Sequence, residues 1–301
     1  MTSLVGIGLK LLATMLFAVM IAIVKHAATV VPTGEIVFAR SFFALIPLAV
    51  MAVMQGDWRD CIRTANPWMH VRRSVIGASA MFTWFTAISM LPLPEATAIS
   101  FLTPLMIVAL AAIVLKEDVG IYRWSAVGVG FVGVLVILYP RLGQPIGETG
   151  MLGAMLAAIS TVFMAFAAIL VRKMTKTEKN AAIMFYFFVT ASAFSLISLY
   201  WGWVLPDWQT ILLLVFAGLL GGVAQILTTQ AFRLTEASLL ASFDYINMVW
   251  AVLMGILLFD EYPSNTVLLG GTIVILAGLF VVERERRLGV ARKAENRSKA
   301  L

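Results

Sequence analysis

The sequence holds one cysteine, Cys61, and two histidines, His26 and His70. A single thiol excludes an internal disulfide and any multi-cysteine metal site. The histidines fall on opposite sides of the membrane in the topology derived below, which leaves neither a histidine pair for a metal nor a Ser-His triad. A nucleotide-binding P-loop is absent, so an ATPase within this chain is excluded. Charge is scarce as well: 13% of residues are charged, where a soluble domain carries about 25%. The scarcity runs from end to end and leaves no polar stretch from which a soluble catalytic domain could be built. Catalytic residues, cofactors and metals are therefore not expected.

Hydrophobic sequence takes the place of charge, at 61% of the residues. A bilayer core of about 30 Å needs about 20 helical residues. Runs near that length lie at about 5–25, 34–54, 71–90, 94–115, 122–139, 151–171, 181–204, 210–231, 236–259 and 264–282. The clearest breaks are "VVPTGE", "LPLP", "LKEDVG", "YPRLGQPIGETG", "KMTKTEKN", "VLPDW" and "FDEYPSN". Backbone polar groups cannot face lipid unpaired, so these runs are helices, and the lack of short alternating segments argues against a barrel. The first run reads as a retained span, because more runs follow and no small-residue cleavage site closes it. The expectation is an all-α integral membrane protein with ten transmembrane helices.

Lys and Arg concentrate in alternate connections. With the N-terminus inside, the outer connections hold only Lys25 and Arg141, Arg40 lies within the second span, and the remaining Lys and Arg fall on the cytoplasmic side. Both termini are thus expected in the cytoplasm. This asymmetry accounts for the net charge of +6, and no nucleic-acid partner is expected.

The chain also repeats. "LPEATAISFLTPLMIVALAAIVLKED" from Leu93 matches the pattern of "LTEASLLASFDYINMVWAVLMGILLFDE" from Leu234, with acidic stops at Glu117 and Glu261. Ala126 and Gly133 are spaced like Gly271 and Gly278. The expected organisation is a first five-helix repeat over 1–146, a second over 147–283, and a basic cytoplasmic tail over 284–301. Five is odd, so the second copy enters the membrane upside down, as in many secondary transporters.

Charges inside spans are costly and point to pairing or to a polar pathway. In "EIVFARSFFALIPLAV", Arg40 lies roughly 9 Å below the outer end of its helix at about 1.5 Å per residue. Glu35 and Lys25 share that outer side, and the three form either a mouth for an anionic or zwitterionic solute or a packing pair. Asp244, about 12 Å into the ninth span, has Tyr245, Asn247 and Trp250 beside it. With Gln225, Thr228, Thr229 and Gln230 these residues either line a cavity or hydrogen-bond helices together. Trp84 and Tyr186 are the intramembrane aromatics that suit a ring-bearing ligand, and Pro104 is the candidate hinge. Glu35 and Asp244 are the carboxylates through which transport would couple to protons.

"VFARSFFALIPL", "LPLPEATAISFLTPLMIVALAAIVLKED" and "FDYINMVWAVLMGILLFDEYP" together resemble the EamA-type branch of the drug/metabolite transporter superfamily, along essentially the whole chain. The resemblance implies two inverted five-helix halves, a central cavity and alternating access for a small organic solute. The family's second-span arginine maps onto Arg40, its first-span lysine onto Lys25 and its ninth-span aromatic onto Tyr245. The proline often found in the ninth span is missing here. "PTGEIVFARSFFALIPL" is most similar to alpha-proteobacterial members that include vitamin B2 importers. Riboflavin uptake across a bacterial inner membrane is the specific expectation, with export of amino acids or related metabolites, or an S-adenosylmethionine carrier, as alternatives. Expected partners are the substrate, the lipid bilayer and a proton as coupling ion; assembly as a homodimer stays open. A non-transporting membrane enzyme or structural protein is the reading from a different class.

Overall fold

The computed structural model describes residues 2–54, 58–114, 116, 120–141, 149–175, 177–235, 240 and 243–298. Thirteen α-helices lie among the described residues: α1 (Thr2–Ala27), α2 (Thr33–Phe43), α3 (Leu45–Met54), α4 (Trp58–Ile62), α5 (Pro67–Met90), α6 (Leu93–Ser100), α7 (Leu102–Val114), α8 (Ile121–Leu138), α9 (Thr149–Met174), α10 (Asn180–Ser195), α11 (Trp208–Leu234), α12 (Ile246–Phe259) and α13 (Asn265–Ser298). Helix starts follow local chemistry. Asn66 caps α5 by accepting from the Met69 amide, with Pro67 in the first turn, where its missing N–H costs nothing. Asp207 caps α11 through the Thr210 amide and hydroxyl. At the end of α12, Asp260 adopts a left-handed conformation with φ 56°, and the Glu261 amide returns to the Gly255 carbonyl.

Among the described residues, six stretches are long and apolar enough to cross a membrane: Leu4–Ala27, Thr33–Met54, Leu93–Val114, Thr149–Met174, Asn180–Trp201 and Trp208–Leu234. Trp124–Leu138, Phe243–Phe259 and Asn265–Val281 are shorter apolar helices. Several expected spans are broken. The second divides at Ala44, the fourth at Phe101, and the ninth includes a 3-10 turn at Phe243–Tyr245 just before α12. The seventh leaves α10 for a 3-10 turn at Leu196–Trp201. At the fourth-span break, Pro104 has no amide to give the Ser100 carbonyl, and the Thr103 hydroxyl donates to that carbonyl instead at 2.7 Å. The boundary expected near residue 146 and the acidic stop at Glu117 lie outside the described residues. Beyond residue 283 the backbone continues as part of α13 rather than leaving the helix.

Helix pairing has a two-fold pattern. Numbered by the expected spans, α1 along α11 joins the first and eighth, and α5 along α9 joins the third and sixth. Adding five to each number, counted cyclically, turns one pair into the other. The same shift exchanges α2–α11 with α10–α5 and α7–α9 with α12–α1, and it leaves α8–α13, α2–α10 and α6–α12 in place. Two repeats interlock in this manner, which is the architecture of a two-repeat membrane fold. Glycines close the seams: a Cβ on Gly218 would lie 2.9 Å from the Ala39 carbonyl oxygen, and one on Gly133 would lie 2.9 Å from that of Gly270.

Candidate substrate pathway

Two adjoining cavities of about 860 and 460 Å³ run through the bundle and share Phe17, Ile21, Trp84, Met164 and Gln225 in their walls. The larger lobe holds Arg40 and Arg73 and extends to Arg172 and Phe232. The smaller lobe is lined by Thr97, Ser100, Thr103 and Asn247. Trp84, at the junction of the lobes, is 7% exposed. Both lobes draw walls from the two halves of the chain.

Arg40 enters the larger lobe from α2. Its approach depends on Gly221 of α11, where a Cβ would lie 3.2 Å from the Arg40 Nε and 2.8 Å from the Met20 Sδ. The guanidinium is 5.4 Å from the Phe188 ring, and that of Arg73 is 4.1 Å from the Phe187 ring. Nε and Nη1 of both arginines are buried without a hydrogen-bond partner among the described residues. Like charges therefore face one cavity and are close enough to influence each other.

Lys25, Glu35 and Arg40, expected together at an outer mouth, have different surroundings. Lys25 Nζ pairs with Glu261 at 2.5 Å and donates to the Leu91 carbonyl at 2.6 Å. The other Glu261 oxygen accepts from the Leu93 amide at 2.8 Å. Glu35 accepts from the Val204 amide at 3.2 Å, and Arg40 is left without a carboxylate. Asp244 also departs from expectation. The buried Lys10 draws it away at 2.5 Å, with the Asp244 side chain 46% exposed, because a buried ammonium needs a counter-charge. Tyr245 packs on Phe101 at 5.2 Å and fills the space left by Gly278. Of the ninth-span set, Asn247 reaches the smaller lobe.

Tyr186 serves elsewhere. Its hydroxyl donates to the Ile62 carbonyl, and its ring lies 4.5 Å from that of His70. Beside them Glu178 Oε1 accepts from the Thr64 hydroxyl and the Ala65 and Asn66 amides, while Oε2 lies 3.4 Å from His70 Nε2. Burial alone would raise the Glu178 pKa, but these hydrogen bonds together hold it below the ordinary carboxylate value of 4.5. This cluster ties the α4–α5 connection to the α9–α10 connection.

The two ends of the bundle differ. One end carries the Lys25–Glu261 pair, whereas the larger lobe runs toward Phe232 and Arg172, near the end where α1 begins: Gly6 of α1 abuts Thr235, just beyond α11. Arg73 is the site residue that sequence reasoning missed, since it was counted with Arg72 among cytoplasmic loop charges. A signal was present. Arg73, Gly77, Met81 and Trp84 recur at the spacing of one helix face, and that face lines the lobe.

The EamA-like transporter family matches residues 4–139 and 151–283. An S-adenosylmethionine uptake transporter of Rickettsia bellii is 29% identical over 283 residues, covering 94% of this chain and 95% of the relative. A riboflavin transporter of Rhizobium johnstonii is 30% identical over 227 residues, covering 75% and 74%. A pseudopaline exporter of Pseudomonas aeruginosa is 28% identical over 276 residues, covering 90% and 94%. A solved crystal structure that is 19% identical superimposes with a TM-score of 0.66 over 95% of this chain and 97% of its own, which supports the fold. Two matched segments of one family model, one in each half of an interlocked helical bundle, make this chain a member of the EamA-like transporter family, within the drug/metabolite transporter superfamily.

Proposed function

We propose that this protein is a secondary carrier that moves a small organic metabolite across a bacterial inner membrane by alternating access. It does so with ten spans in two inverted halves and with both termini in the cytoplasm. The observation that carries the reading is the two-lobed cavity, built from both halves, tied shut at the Lys25–Glu261 end and extending toward the other. In the proposed orientation this arrangement is inward-facing. A rocking of the halves that breaks the Lys25–Glu261 contact and closes the opposite end would present the same cavity to the outside.

S-adenosylmethionine is the first substrate to test, on the strength of relatives so named that span nearly the whole chain. Riboflavin is the second, supported by the 30% identical relative and by Trp84, whose indole offers a face for a planar ring. The Lys10–Asp244 ion pair is the candidate route for proton coupling. The test is uptake of each labelled compound into vesicles containing the purified protein, with and without the same unlabelled compound preloaded and with a proton uncoupler. Saturable uptake stimulated by preloading is expected for one of them. Preloaded vesicles that neither exchange nor release either compound would count against both substrates, and failure across a wider metabolite panel would remove the carrier reading.

A further inference from the structure

Arg40 is 7% exposed and lies within a membrane span. Arginine stays protonated at physiological pH, and an isolated charge at such a depth costs several kcal/mol. Elsewhere the protein answers its buried charges: Lys10 has Asp244, Lys25 has Glu261, and Glu178 has four donors around it. Arg40 and Arg73 have phenyl rings instead. A ring occupies one face of a guanidinium and leaves its N–H edge free, the edge that grips a planar carboxylate or a phosphate with two parallel hydrogen bonds. No Asp or Glu lines this lobe among the described residues, so they supply no anion of their own.

On the carrier reading given above, we propose that Arg40 and Arg73 form an anion-recognition lobe. The transported solute carries a carboxylate or phosphate that docks on the two guanidinium edges. The uncharged remainder of the solute lies past Trp84 in the lobe of Thr97, Ser100, Thr103 and Asn247. The arginines belong to the first half of the chain, whereas Phe187, Phe188 and Gln225 belong to the second. Anion binding therefore reports directly on how the halves sit against each other.

Matched pairs of probes test this with the full-length protein in lipid nanodiscs. S-adenosylmethionine is compared with 5′-methylthioadenosine, which lacks the carboxylate-bearing arm, and riboflavin 5′-phosphate with riboflavin. Acetate and inorganic phosphate serve as bare anions. The charged member of at least one pair should bind at least about tenfold more tightly. That advantage should shrink with salt and vanish in Arg40→Gln and Arg73→Gln, while Arg→Lys keeps part of it. A preference in the first pair that the Gln substitutions abolish identifies recognition of the carboxylate in the missing arm, and one in the second identifies phosphate. Equal or absent binding by both members of both pairs in the wild type overturns the proposal without recourse to any variant, as does a charge preference that survives both Gln substitutions. Transport separates this from the carrier reading. If vesicles exchange the charged member of each pair as fast with the Gln variants as with the wild type, the anion lobe falls and the carrier stands. If the charge preference is intact but no probe is exchanged, the carrier reading falls and the lobe stands.

Discussion

The closed end of the pathway and its centre treat charge in opposite ways. At the closed end Lys25, Glu261 and the backbone of Leu91 and Leu93 consume one another's hydrogen-bonding capacity. At the centre two arginines share a cavity with no acid among the described lining residues. A membrane protein can hold a buried charge either by pairing it internally or by leaving it for something that arrives. The first choice stabilises a conformation, and the second prepares a binding event.

Substitutions can break that contrast. The largest effect should come from Arg40→Ala, which is expected to reduce uptake by about a hundredfold or more, as truncating a centrally buried ionic contact does. Thermal unfolding should be unchanged or shifted upward, since an unpaired buried charge is removed. Unfolding of this variant during purification would mean that Arg40 is a packing residue. Lys25→Met should behave in the opposite manner, lowering stability by about 3 kcal/mol because Glu261 is left without its counter-ion. The double variant Lys25→Met/Glu261→Gln should recover part of that loss in a double-mutant cycle. Gly221→Ala sharpens the contrast at the centre: its methyl would crowd Met20 and Arg40, costing about 1–3 kcal/mol and weakening substrate binding while the closed end stays intact. Glu178→Gln should have the smallest effect, about 1–2 kcal/mol. Because its hydrogen bonds lower the Glu178 pKa, its contribution is fully present above the ordinary carboxylate value and is lost as pH falls through the lowered one. Stability of the Gln variant measured against pH should therefore show a shallower acid limb than the wild type.

Much of the fold is legible in the residues. Apolar run length, Pro and Asn at helix starts, and the repeat of "LPEATAIS" in "LTEASLLAS" lead to a two-repeat helical membrane protein. The expense of Arg40 is legible too, because depth in a span can be counted. Partners are less so. Glu35 lies five residues before Arg40, yet it turns to the Val204 amide 169 residues away, and no local pattern encodes such a contact. The depth of Asp244 in the ninth span and its polar neighbours point to a cavity, but the pull of Lys10 depends on how α1 crosses that span. Arg73 reads from its position only as one of the charges on the cytoplasmic side. Adjacent helical residues differ by about 100° in direction, so Arg72 is exposed while Arg73 enters the lobe.

Both oxygens of Glu261 are committed, one to an ammonium on the first helix and the other to the amide that begins α6, while the same ammonium also holds the last carbonyl after α5. Three separate segments are thus fastened through a single carboxylate. No one of them can swing away and leave the other two secured in the same manner, so a single substitution at Glu261 would loosen all three at once.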